Sequence, residues 1–110
     1  MSRAELEVLW MESAIRDLEQ IVDFIAEEAP LAAQRLFDEV VEKSRTLDSV
    51  PTRGRIVPEL AQFEITTYRE IILKPYRLMY RIDGKRVSVV GFFDGRRNLE
   101  EVLLARLNRG

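Results

Sequence analysis

Two side chains never occur in this chain of 110 residues: cysteine and histidine. Without cysteine there is no disulfide, no thiolate metal ligand and no sulfur nucleophile. Without histidine, a zinc site would need carboxylates alone, and the usual general base at neutral pH is missing. Long apolar runs are lacking too. The longest, around Val87–Phe93, is the size of a strand and far short of a bilayer span. The opening "MSRAELEVLW" puts charge where a signal peptide has its apolar core, so export is not expected and the location reads as cytoplasmic.

What is present fits a soluble globular chain, with 46% hydrophobic and 33% charged residues. Its length suits one core, so residues 1–110 are expected to form one domain. The net charge of −2 hides a division. Residues 1–50 hold 5 Lys/Arg against 12 Asp/Glu, and residues 51–110 hold 12 against 7. A basic second half is either an ordinary solvated surface or one that meets phosphate or an acidic peptide.

Along the chain, "ELEVLW" alternates as a short strand with Leu6, Val8 and Trp10 on one face. Ser13 is placed to cap a helix in which Ala14, Leu18, Ile21, Val22 and Ile25 recur at helical spacing. Pro30 ends that helix and suits the first turn of a second, marked by Ala33, Leu36, Phe37, Val40, Val41 and Leu47. So short a connection predicts an antiparallel helical hairpin. From Asp48 to about Thr67 periodicity lapses. Pro51, Gly54 and Pro58 punctuate a long connection, read as functional in part and in part as a strap over the helices through Ile56, Val57, Leu60 and Phe63. Strands follow at Arg69–Lys74, Arg77–Ile82 and Val87–Phe93, the last two joined through an Asp83-Gly84 turn. Asn98, spaced from Glu101 as in a capping box, opens a final helix with Arg106 and Arg109 near its end. The fold class is α+β in the order β-α-α-β-β-β-α, with the hairpin and the C-terminal helix packed on a small antiparallel sheet.

All three tyrosines lie in "YREIILKPYRLMYRI", and an arginine follows each of them. Strand alternation sets Tyr80 with Leu78 and Ile82, so its ring is expected in the core. Arg77, Met79 and Arg81 fall on the opposite face, either solvated or facing a partner. Arg69 and Glu70 point to opposite faces, so an ion pair for either must come from another element. One of Phe92 and Phe93 is expected to lie exposed beside Arg96 and Arg97.

Read together, "ESAIRDLEQIVDFIAEEAPLAAQRLFDEV", "TLDSVPTRGRIVPEL" and "YREIILKPYRLMYRIDGKRVSVVGFFDGRR" resemble the helical hairpin, connection and sheet of the RelE/ParE toxin superfamily of type II toxin–antitoxin systems. The resemblance spans nearly the whole chain and rests on order and spacing. It implies a toxin neutralised by a cognate, ParD-like antitoxin, whose flexible acidic segment folds over the toxin. It also implies one of two targets: DNA gyrase for ParE-like members, or the ribosome and its mRNA for RelE-like endonucleases. A non-toxic relative that keeps antitoxin binding is a third reading.

RNA cleavage through the 2′-hydroxyl needs groups that move protons as well as groups that hold phosphate. Arginine holds phosphate well but titrates above about 12. The segment after Arg97 has no tyrosine or histidine, leaving Tyr76, Tyr80 and Lys74 as candidate acid–base groups. The ParE-like reading is therefore preferred. It makes Arg69, Arg77, Arg81, Arg96 and Arg97 the expected surface for target or antitoxin, and gives no role to a metal or organic cofactor.

Overall fold

The computed structural model describes residues 5–108. β1 (Glu7–Trp10) leads directly into α1 (Glu12–Ala26), and α2 (Pro30–Arg45) returns alongside it. A single 3-10 turn at Thr46–Asp48 begins the long connection, which contains β2 (Arg55–Ile56) and the short α3 (Pro58–Ala61). β3 (Tyr68–Leu73), β4 (Tyr76–Asp83) and β5 (Arg86–Asp94) follow, and α4 (Leu99–Asn108) closes the described chain. Arg109, expected near the helix end, lies outside the described residues.

The sheet has the order β1-β5-β4-β3-β2. β3, β4 and β5 form the expected antiparallel meander, with Gly84 at φ 57° in the Asp83-Gly84 turn. β1, however, pairs with β5 in parallel, Val8 opposite Val87 and Trp10 opposite Val89, so the sheet is mixed. The helical hairpin lies between β1 and the meander in sequence, and a crossover of that length permits parallel pairing. The β1–β5 ladder also decides where α1 starts. Met11 N–H donates to Val89 C=O at 2.9 Å, and the helix begins one residue later without a capping side chain. Ser13 is accordingly inside the first turn, not before it, and its hydroxyl donates to Val90 C=O instead.

Apolar side chains fill both faces of the sheet. On one, Leu18 of α1 and Val40 of α2 pack with Leu78, Tyr80, Val87, Val89 and Phe92. On the other, Val57 and Leu60 of the connection pack with Met79, Phe93, Leu99 and Leu103. The strap therefore covers the sheet face opposite the hairpin, contrary to the expectation that it lies over the helices. Only Val57 and Leu60 of its four apolar residues are buried; Ile56 and Phe63 are exposed. Burial of each large core side chain is worth roughly 1.5–3 kcal/mol, so the second face contributes heavily to the fold and is not an open surface.

A bulge in β5 sets the two faces. Met79 pairs with Gly91 while Tyr80 pairs with Val89, leaving Val90 as the extra residue. Strict alternation from Val87 would put Phe93 with Val89. The bulge shifts the parity by one, and Phe92 joins the hairpin side while Phe93 joins the strap side. Both rings are buried, so neither phenylalanine is the exposed one anticipated from alternation.

Candidate functional site

The tyrosine–arginine stretch resolves into parts with different duties. The Tyr80 ring is fully buried, as its strand parity predicts. Its hydroxyl donates to Pro51 C=O at 2.6 Å and accepts from Gly54 N–H at 2.9 Å. A Cβ on Gly54 would sit 2.6 Å from Glu70 C=O and 2.7 Å from that hydroxyl, so only glycine lets the connection approach the sheet this closely. Burial pushes the Tyr80 pKa up, against a smaller opposing effect of the Gly54 hydrogen bond and of Arg69 and Arg53. With its proton donated to Pro51 and an acceptor site taken by Gly54 N–H, this phenol holds a loop. Arg69 serves the same loop, donating to Gly54 C=O at 2.8 Å.

Arg77 is enclosed. Its guanidinium donates to Glu70 at 2.7 and 2.9 Å and to Glu59 at 2.6 and 2.5 Å, and Glu70 accepts a further bond from Arg55 at 2.7 Å. Two cations thus balance two carboxylates under the strap. The hydrogen bond to Arg77 holds the Glu59 carboxyl below the ordinary range. The Glu59 hydrogen bond, followed by Glu70, raises Arg77 in turn. Arg77 and Met79 do not form the solvated or partner-facing surface expected of this strand face, because α3 and α4 cover it. Arg81 stays at the sheet margin, bonded to Asp83 at 2.9 Å, where a hollow of about 440 Å³ also takes in Leu9 and Met11.

Arg96 and Arg97 sit elsewhere, on the turn after β5 that forms the mouth of an open groove of about 890 Å³. One wall is α1, through Gln20, Ile21, Phe24 and Ile25. The other is α4, through Glu101, Val102 and Ala105, with Tyr76 and Phe92 between them. Tyr76 stacks on Phe92 with centroids 5.4 Å apart, and Phe24 is 75% exposed at the rim. The turn is fixed by Gly95 N–H donating to Pro75 C=O at 2.7 Å. It is fixed again by Asp94, which accepts from the Arg96 backbone N–H, Nε and Nη2 at 2.8–2.9 Å. Those bonds hold the Asp94 carboxyl down to about 2. Among the described residues the Arg97 side chain has no hydrogen bond and no ion pair. The five arginines named from sequence are therefore not one patch: Arg96 and Arg97 share the groove mouth, and Arg69, Arg77 and Arg81 do not line the groove, although the Arg77 stem passes beside Gly95 of the same turn.

Sequence reading passed over two groups that shape this groove. Asp17 of α1 accepts from Phe92 N–H at 3.1 Å and from both Nη atoms of Arg106 at 3.0 Å. A signal existed, since Asp17 lies three residues after Ala14 and four before Ile21, at the border of the apolar stripe. Chemically, the groove offers apolar and aromatic side chains interleaved with polar ones, and at its mouth a guanidinium that is unpaired among the described residues. The displaced pKa values among the described residues move away from neutrality: Glu59 and Asp94 fall, and Tyr80, Arg77, Arg81 and Arg96 rise. Among the described residues no cluster of carboxylates is arranged to hold a metal ion, and no helix is long and apolar enough to cross a membrane.

Residues 8–99 match the sequence profile of the family described as the ParE toxin of the type II toxin–antitoxin system parDE. The toxin RelE2 of Caulobacter vibrioides is 32% identical over 85 residues, 76% of this chain and 89% of that protein. Two solved structures share the fold. A chain of the chromosomal ParDE toxin–antitoxin system from P. aeruginosa superposes with a TM-score of 0.68 at 22% identity, covering 84% of this chain and 98% of its own. A chain of the toxin–antitoxin complex RelBE2 from Mycobacterium tuberculosis gives 0.59 at 24% identity, covering 84% and 94%.

Proposed function

Given that the chain belongs to the ParE toxin family of type II toxin–antitoxin systems, we propose that it inhibits DNA gyrase by protein–protein contact through the α1–α4 groove. In this reading it acts in the cytoplasm, and a cognate antitoxin, ParD-like in kind, silences it. Arg97 and Arg96 at the groove mouth meet carboxylates of the partner, while Phe24, Tyr76 and Val102 take its apolar side chains. The observation that carries the reading is an exposed Arg97, unpaired among the described residues, at the mouth of a groove with the exposed Phe24 on its rim. Arg69 and Arg77 leave the proposed contact surface, since their guanidinium groups are spent on the protein's own loops.

The 32% identical relative named RelE2 favours a second reading, a ribosome-dependent mRNA endonuclease that uses the same basic turn to hold phosphate. Purified protein separates the two. Gyrase inhibition gives loss of supercoiling and linear plasmid while translation continues. Transcript cleavage on translating ribosomes with gyrase untouched would replace the first reading by the second.

A further inference from the structure

Beside the bulge at Val90, two backbone groups of β5 bond to side chains in one place. Phe92 N–H donates to Asp17 Oδ2, and Val90 C=O accepts from Ser13 Oγ at 3.4 Å and from Arg106 Nη1 at 3.3 Å. Asp17 and Arg106 then close a two-point fork, both bonds at 3.0 Å, between helices 89 positions apart in sequence. The guanidinium carbon stands 5.0 Å from the centroid of the Phe93 ring. That ring reaches back over residue 91, where any Cβ would overlap Phe93; Gly91 is what leaves the platform free.

This junction is small, polar and mostly buried, and it lies at the inner end of the groove, where α1 and α4 come together. Apart from one exposed hydrogen bond, Gln62 Nε2 to Glu100 at 3.0 Å near its first turn, α4 is otherwise held by Leu99 and Leu103, whose apolar contacts are non-directional and allow the helix to roll. A planar fork does not allow it. We infer that Asp17 and Arg106 are positioning residues for the groove: they set the spacing and rotation of its two walls without touching the partner. This rests on the reading that the groove is the working surface, and it adds that α1–α4 spacing determines what the surface accepts. Asp17 is also committed twice, to the bulge and to Arg106. The same carboxylate therefore ties the sheet irregularity to the helix that carries the wall.

The absence of native cysteine makes the test clean, because two introduced thiols are the only ones labelled. Nitroxides at Glu19→Cys and Asn108→Cys, both exposed and outside the groove lining, report the α1–α4 distance by pulsed electron resonance. Asp17→Asn keeps an acceptor for Phe92 N–H but removes the charge; Arg106→Lys keeps the charge but loses the fork. The expected result is a distance distribution about twofold broader for Asp17→Asn and an intermediate one for Arg106→Lys. Gyrase inhibition is expected to weaken about tenfold for Asp17→Asn, read at temperatures well below unfolding. A distribution unchanged in both variants overturns the inference whatever the target is. A broadened distribution with undiminished gyrase inhibition upholds the positioning role and overturns the groove as the gyrase-binding surface. Loss of melting temperature alone, with wild-type distances, would assign the pair to stability and defeat the inference.

Discussion

Arg77 lies beneath the strap with its guanidinium spread over two carboxylates, whereas Arg97 stands at the groove mouth with no partner among the described residues. Both follow from where the chain has spare covering material. The strap must cross the sheet to reach β3, and Pro58-Glu59-Leu60 delivers one apolar side chain and one carboxylate onto the face that Arg77 occupies. In the turn after β5, Arg96 and Arg97 are exposed, so cations placed there meet solvent. Identical chemistry thus becomes structural under cover and available for recognition without it.

The sharpest way to break this contrast is to remove the covered arginine. Arg77→Ala leaves Glu70, whose side chain is 2% exposed, with Arg55 as its remaining cation and takes from Glu59 its hydrogen-bonded one, a loss of up to about 3–5 kcal/mol. Urea unfolding should show the midpoint collapse with little change in slope. Adding Glu70→Gln to Arg77→Met should recover part of the loss, because a buried carboxylate left with only the half-exposed Arg55 is then gone. A full-size loss in that pair as well would mean that packing, and not charge, holds the strap.

Next in size are the bonds that pin the same connection from its other end. Tyr80→Phe leaves Gly54 N–H and Pro51 C=O without their shared partner, at about 1–3 kcal/mol. Gly54→Ala should cost about 1–3 kcal/mol by overpacking against Glu70 C=O and the Tyr80 hydroxyl. Melting curves check both, and equal stability of Tyr80→Phe and wild type would remove the hydroxyl from the account.

Legibility divides along the same line. Both helices of the hairpin, the meander and the Tyr80 ring were readable because each depends on local periodicity, turn chemistry or strand parity. The parallel β1, the bulge at Val90 and the strap's choice of face were not. Each is settled by packing between distant segments, and no local pattern in "VSVVGFFD" reports which residue is extra. For the site, residue type was readable and surroundings were not: five arginines looked alike in sequence, and carboxylates at Glu59, Glu70, Asp83 and Asp94 sorted them. Asp17 reads in sequence as one of the polar residues of α1 off the apolar stripe, whereas its partners in β5 and α4 draw it inward.

Acid titration sharpens the comparison with a smaller effect. Glu59 and Asp94 both titrate lower in the folded chain, Asp94 at about 2. Their stabilisation is complete above the ordinary carboxyl pKa of about 4 and is lost as pH falls through the folded values. Melting temperature should therefore drop between about pH 4 and pH 2, and Glu59→Gln should flatten that drop. Added salt should weaken the contribution of the solvent-facing Asp94–Arg96 pair and leave that of Glu59–Arg77 largely intact. Equal salt sensitivity in Asp94→Asn and Glu59→Gln would show that the strap pair is wetter than its geometry implies.

The smallest expected change in stability belongs to the residue with the largest expected consequence for function. Arg97→Ala removes no bond within the described chain, so its unfolding free energy should stay within about 0.5 kcal/mol of wild type. Toxicity in cells lacking an antitoxin should nevertheless be lost, and more completely when Arg96→Ala is added. Arg96 alone is the useful intermediate: its guanidinium is already engaged by Asp94, so it offers the partner only its remaining donors. A stable Arg96→Ala/Arg97→Ala protein that still kills would move the working surface off the groove mouth. The hollow beside Arg81, Leu9 and Met11 would then be the place to mutate next.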